Sequence, residues 1–344
     1  MSMLALLIAA AVAQPGRDST LLHRDPGAIV AAKEQEQEAA LRRMLELGGS
    51  SAEQAEALAR LAALLRSRGL ALSIRAQAEA DQGNEAAAVR DRRAAADARA
   101  EAVARYRELL NKYPRAPRTD EALYFLADSL QESGREREAI VVARELTRRF
   151  PRSSWAPASH VFIGEHLFEA AKLDAALKEY RAAAEAPDDD VYPYAIYKAA
   201  WCRFNQGAFT DAMKLFKRVV DISTASGDVN KVQLAREARR DYVLAYSRTG
   251  RPDSAKEEFA RKFGAQPGLR MLEQYAKLLF DTGRDPESQL VHRQLLALHA
   301  DAPAAALDQT RLLILAQRGG KRRDLLSESK QLVEIVQRVR AASH

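Results

Sequence analysis

The sequence predicts an all-α chain, an α-solenoid of short helical hairpins with a long helical segment before the array and a capping helix after it. Three observations carry that expectation. The first is a recurring phrase: an alanine, a ring or small apolar residue four positions on, and another apolar residue three beyond that, all on one helical face. It reads Ala102-x3-Tyr106-x2-Leu109, Ala139-x3-Ala143-x2-Leu146, Ala176-x3-Tyr180-x2-Ala183, Ala212-x3-Phe216-x2-Val219 and Ala255-x3-Phe259, with a degenerate copy in Ser288-x3-His292-x2-Leu295. The leading residues lie 37, 37, 36, 43 and 33 positions apart, a period that holds one helix pair. The long step contains a polar insertion, Ser223 to Asp228, read as a surface loop. The second observation is the stretch from Tyr192 to Asp221, in which an aromatic-rich helix ends at Asn205, breaks at Gln206-Gly207 and is followed by a helix from Thr210. The third is composition. At 344 residues, 47% hydrophobic but only 6% aromatic, the chain is alanine-rich and too long for an easy single core, whereas a solenoid grows by adding units.

The elements follow in chain order. Met3 to Val12 is an apolar run ending in Ala11-Val12-Ala13, the small-x-small pattern of a secretory signal, so residues 1–13 are expected to be a signal peptide and 14–26 a disordered leader. Residues 27–100 form an N-terminal helical segment: Gly27 to Leu47 is a first helix, closed by Gly48-Gly49. Ser50 or Ser51 caps the next, with Glu53 in its first turn and Leu58, Leu61, Leu64 and Leu65 along its apolar face. Ala71 to Asn111 reads as a long helix with a break at Gly83. The array spans 101–303, and 304–344 is a C-terminal helical pair divided at Gly319-Gly320. Its last helix, from Arg323, places Leu325, Leu326, Leu332, Val333, Val336 and Val339 on one side, as a solenoid cap requires.

The repeated phrase resembles the tetratricopeptide repeat (TPR). Ile163-Gly164 precedes Ala176 by 12 positions, and Gly134, Gly207, Gly250 and Gly283 each stand five before a leading residue, as in that family. Ala127 and Ala200 replace the small glycine, and the last copies lack the closing proline seen at Pro114, Pro151 and Pro187. The resemblance covers roughly residues 100–300. It implies a right-handed superhelix in which the first helix of each pair lines a concave groove. Carried over residue by residue, the groove positions are Glu121, Tyr124, Asp128 and Gln131; Val161, Glu165 and Phe168; Tyr194, Tyr197, Trp201 and Phe204; Glu237, Arg240 and Leu244; and Arg270, Glu273, Lys277 and Phe280. Tyr194, Tyr197, Trp201 and Phe204 fall within about 80° of one another on the helix, opposite Ala199 and Ala200. They serve either as binding anchors or as filling of the seam with the next repeat. A carboxylate clamp for a chaperone's C-terminus is not expected, because Tyr197 and Trp201 stand where its basic and amide groups would be.

Other functions leave few traces. The formal charge is +6, but 53 basic and 47 acidic residues are interspersed, and no basic stripe with interleaved aromatics points to nucleic acid. Cys202 is the single cysteine and reads as a core residue. Ser327-x-x-Lys330 lacks the companions of a serine-lysine nucleophile, His160/His166 and His292/His299 lack metal-ligand spacing, and Gly319-Gly-Lys321 is not a phosphate loop. No catalytic site, cofactor or small-molecule substrate is expected; the expectation is a scaffold that binds segments of other proteins. The run YPRAPRTDEALYFLADSLQESGREREAI resembles TPR modules of bacterial envelope proteins: the outer-membrane barrel-assembly lipoprotein, the Tol-Pal-associated division coordinator and gliding-motility components. With the N-terminal apolar run, this favours a periplasmic location; the alternative is a cytosolic adaptor.

Overall fold

Alternating apolar rows and glycine breaks give helix after helix. The computed structural model describes residues 26–224, 229–298 and 303–342, and among them there are fifteen α-helices, a short 3₁₀ turn at Pro252–Ser254, and no strand. The expected signal peptide and leader up to residue 25 lie outside the described residues. The chain divides into two compact units, Met1–Val142 and Ala143–His344.

In the first unit, α1 (Pro26–Leu47), α2 (Ser51–Asp81), α3 (Glu85–Lys112) and α4 (Thr119–Glu132) follow one another, and α5 (Glu136–Arg149) carries the division between the units. Helix α2 starts at a capping box: Glu53 N–H donates to Ser50 Oγ at 3.3 Å, while Ser50 N–H donates to the Glu53 carboxylate at 2.9 Å. A separate helix from Ala71 was expected; instead α2 runs unbroken through Gly69 and stops at Gly83. The reason is contact, not propensity. Gly69 is buried where α3 approaches, and a Cβ there would meet Arg99 Cγ at 2.9 Å. Leu61, Leu65 and Ala102 form the local core, covered by Leu41 and Leu45 of α1. The sequence-derived boundary at residue 100 falls inside α3.

The second unit continues with α6 (Ala156–Glu169), α7 (Leu173–Ala183), α8 (Tyr192–Asn205), α9 (Phe209–Thr224), α10 (Val229–Thr249), α11 (Ala255–Phe263), α12 (Ala265–Asp281), α13 (Asp285–Leu298), α14 (Pro303–Arg318) and α15 (Arg322–Ala342). Within it, sequential helices pack in pairs, and the first helices also touch along the series α6, α8, α10, α12. One contiguous hydrophobic core runs from Tyr192 to Leu295. Every residue of the recurring phrase is buried, from Ala102, Tyr106 and Leu109 to Ser288, His292 and Leu295. Of the polar insertion, Ser223 and Thr224 belong to α9, with Ser223 buried; residues 225–228 lie outside the described residues.

The turn inside four of the hairpins is the same device. Arg135, Lys172, Ala208 and Arg284 N–H donate to the carbonyls of Leu130, Leu167, Arg203 and Leu279 at 2.8–2.9 Å, closing Schellman motifs. The residue before each donor has positive φ: Gly134 (71°), Ala171 (56°), Gly207 (77°) and Gly283 (70°). Gly250, expected in this group, does different work, because a Cβ there would collide with the ring of Tyr246.

The last helix differs from expectation. Its inward side is set by Glu328, whose backbone and carboxylate accept from Gln309 Nε2 at 3.0 and 2.7 Å and whose carboxylate also takes Arg293 at 2.5 Å, and by buried Ile335. That rotation leaves Leu326 and Val333 54% and 57% exposed, and Leu325, Leu332, Val336 and Val339 half-buried.

Ala171 is the one non-glycine residue at these Schellman turns, and left-handed backbone costs an L-residue about 1–2 kcal/mol, against about 0.5–1 kcal/mol of extra chain entropy for glycine. Ala171→Gly should therefore stabilise the protein by about 0.5–1 kcal/mol, read from the midpoint of urea unfolding. An unchanged or lower midpoint would show that the turn is not strained.

Candidate functional site

Helix α8 begins with Pro193 in its first turn and ends at the Gly207 turn, so its register is fixed at both ends. Its inward rows hold Tyr192, Ala195, Ile196, Ala199, Ala200 and Cys202. Burial pushes the Cys202 thiol up to about 11, which makes it a core residue without reactivity. Tyr194, Tyr197, Trp201 and Phe204 run along the edge of that core and are half-buried.

The four rings make two kinds of contact. Trp201 and Tyr197 each lie 5.8 Å from the Phe216 ring of α9, and Phe204 packs edge-on against Trp201 at 5.2 Å and Phe209 at 5.3 Å. The tyrosine hydroxyls, by contrast, reach the neighbouring first helices. Tyr197 Oη donates to Asp241 Oδ2 of α10 at 2.6 Å. On the α6 side, Glu165 accepts from Tyr194 Oη at 3.3 Å and Tyr180 Oη at 2.8 Å, and pairs with Lys198 at 2.9 Å. Lys198 Nζ also sits 4.4 Å over the Phe168 ring. Burial first, and then the adjoining carboxylates, hold the Tyr194 and Tyr197 hydroxyls well above the ordinary phenol range, so both remain donors. The two tyrosines thus serve as seam, while Trp201 and Phe204 pack within their own hairpin.

The remaining expected positions are distributed unevenly. Arg240 is exposed, with Nε 3.3 Å from Asp241; Leu244 is half-buried; Lys277 is exposed and paired with Asp281. Val161 does not face a groove: it is buried with Ala183 and Ala195. In the first unit, Tyr124 is buried, and Asp128 receives Arg66 at 3.4 Å while the Arg66 guanidinium lies 4.1 Å over Phe125. Burial raises the Asp128 carboxyl above its ordinary range. Sequence reasoning missed Asp241 and Lys198. Asp241 is 3% exposed, and an acid among Leu234, Ala238 and Ala245 on the apolar side of α10 was a readable sign that a donor must meet it.

Ser288, His292 and Asp308 have the residue types of a nucleophile triad, with His292 Nδ1 2.9 Å from Asp308, yet all three are core residues and Ser288 Oγ and His292 Nε2 do not bond to each other. His160 Nδ1 is taken by Glu179 at 2.7 Å. Ser327 and Lys330 are exposed on α15, His299 lies outside the described residues, and no group of metal ligands occurs among the described residues.

A family model described as "Tetratricopeptide repeat" matches residues 194–222, the α8–α9 hairpin. No curated protein sequence matches the chain. Among solved structures it is similar to a tetratricopeptide repeat protein from Parabacteroides merdae, at 12% identity and a TM-score of 0.40, over 81% of this chain and 100% of that one. It is also similar to the human IFIT1 dimer with PPP-AAAA, at 15% identity and a TM-score of 0.34, over 88% and 68% of the two chains. Likeness at this level carries no argument about function.

Removing the Tyr197 hydroxyl separates its polar role from its ring. Tyr197→Phe keeps the contact with Phe216 but leaves buried Asp241 with only exposed Arg240, and should cost about 1–3 kcal/mol in chemical denaturation. A loss below about 0.5 kcal/mol would mean that the hydrogen bond does not hold α8 to α10.

Proposed function

We propose that this tetratricopeptide-repeat protein is a non-enzymatic scaffold of the bacterial cell envelope that holds a segment of another protein against the first-helix face of its second unit. One observation carries the reading: Trp201 and Phe204 stay half-buried on a helix tied to both neighbours through Tyr194–Glu165 and Tyr197–Asp241. Large rings held in place before binding lose little freedom when they are covered, which is why such residues dominate protein-binding energy. Exposed Arg240 and Lys277 flank them on the following first helices and would orient a segment more than hold it. The periplasmic location is a proposal resting on the apolar run Met3 to Val12 and the small residues after it.

Two measurements test this. With the partner identified by co-purification from the native cell, Trp201→Ala should weaken its capture at least about tenfold while the array stays folded. Full-strength capture would remove the rings from the site. N-terminal sequencing of the protein from its own host should begin at Gln14; Met1 or Ser2 would point to the cytosolic adaptor instead.

A further inference from the structure

Helix α10 carries a core row that one residue interrupts. Ala235, Tyr242 and Tyr246 share a helical face and are essentially inaccessible, and position 239 lies between them on that face. It holds Arg239. At the matching place in the other first helices, sixteen residues before the leading residue of the second helix, stand buried Leu123, Ile196 and Leu272 and half-buried His160, whose Nδ1 has Glu179 at 2.7 Å. Arg239 is half-buried while Arg236 and Arg270 are exposed, and burial, followed by the charges of Arg270 on α12 and Arg236 on its own helix, holds the Arg239 guanidinium below the ordinary arginine value.

None of these three arginines makes a hydrogen bond or ion pair among the described residues. The carboxylates of α10 are engaged elsewhere: Asp241 by Tyr197 and Arg240, and Glu237 by Gln233 Nε2 at 3.1 Å. On α12, Asp281 is held by Lys277, and half-buried Glu273 is not free either. A guanidinium partly withdrawn from water, beside two like charges and without a carboxylate, is unfavourable in the free protein. A bound oxyanion relieves both the desolvation and the repulsion, and the guanidinium fork matches a carboxylate.

We infer that Arg236, Arg239 and Arg270 form an oxyanion site that takes the carboxylates of an acidic segment of a partner protein. The choice of a protein segment over a free anion rests on the scaffold reading above. The arginines lie on α10 and α12, the first helices that follow α8 in the series.

The test is thermal unfolding of the full chain at matched ionic strength, with an oligoglutamate peptide, with inorganic phosphate, or with chloride alone. The peptide should raise the melting temperature by about 2–4 °C beyond the other two, and Arg239→Leu and Arg270→Ala should lose that rise. Without peptide, Arg239→Leu should melt above the wild type, because it restores the residue type of Leu123 and Leu272. The inference is overturned if the wild type shows no such rise, if Arg239→Leu keeps it, or if Arg239→Leu melts below the wild type, which would make the arginine stem a packing element. A rise with phosphate but not with the peptide would overturn the acidic segment as its source. Trp201→Ala should retain the rise, so that failure of the aromatic anchor and failure of the arginine site give different results.

Discussion

Hairpins of the second unit depend on close contact between a bulky side chain on one helix and a small residue on the other. In the α6–α7 pair the Tyr180 ring lies where a Cβ on Gly164 would come within 2.7 Å of it. In the α8–α9 pair Ala200 and Phe216 stand at the same two positions and are both fully buried. Small residue and ring are separated by sixteen positions in each case, with the turn at Ala171 or Gly207 close to the midpoint, so the two come level when the hairpin closes. Interiors tolerate neither voids nor overlaps, and this match of sizes therefore fixes the helix separation and, through it, the length of each turn. The steps of 37, 37 and 36 residues from Ala102 to Ala212 are the trace this constraint leaves in the sequence.

That is why the hairpins could be read in advance and some of their surroundings could not. Spacing from Ala102 to Leu295 identified side chains that are all buried, because each must meet its own hairpin partner, a local event. The helix expected to start at Ala71 is instead the continuation of α2, because Gly69 is kept small by its contact with Arg99, thirty positions away, and Val161 was placed on an open face although Ala183 and Ala195 cover it. The rotation of α15 was illegible for a different reason. Its apolar row suggested which side would turn inward, but Glu328, held by buried Gln309 and by exposed Arg293, turns the helix so that Leu326 and Val333 stay outside, and hydrophobic periodicity takes no account of polar pairing.

At the candidate site the stripe of rings was legible, whereas the division of labour within it was not. Position on a helical face cannot distinguish a tyrosine from a tryptophan as anchor; hydroxyl partners can. Asp241 is 3% exposed, and a carboxylate so placed needs strong donors, while Arg240, with its side chain 63% exposed, offers a contact that solvent weakens. Tyr197 must supply the other donor and is thereby committed to the seam. Glu165 commits Tyr194 in the same way, with Lys198 and Tyr180 completing its shell.

Trp201 and Phe204 have no acid facing them in this way. Their contacts are edge-on ring packings within one hairpin, which fix orientation but leave part of each ring uncovered. Buried Asp241 and half-buried Glu165 therefore do more than join repeats. By fixing α8 between α6 and α10 they remove the freedom that would let the two rings fold into the core, so apolar surface stays at its edge. Hydrophobic packing alone would tend to bury these rings; the polar seam holds them at the edge of the core.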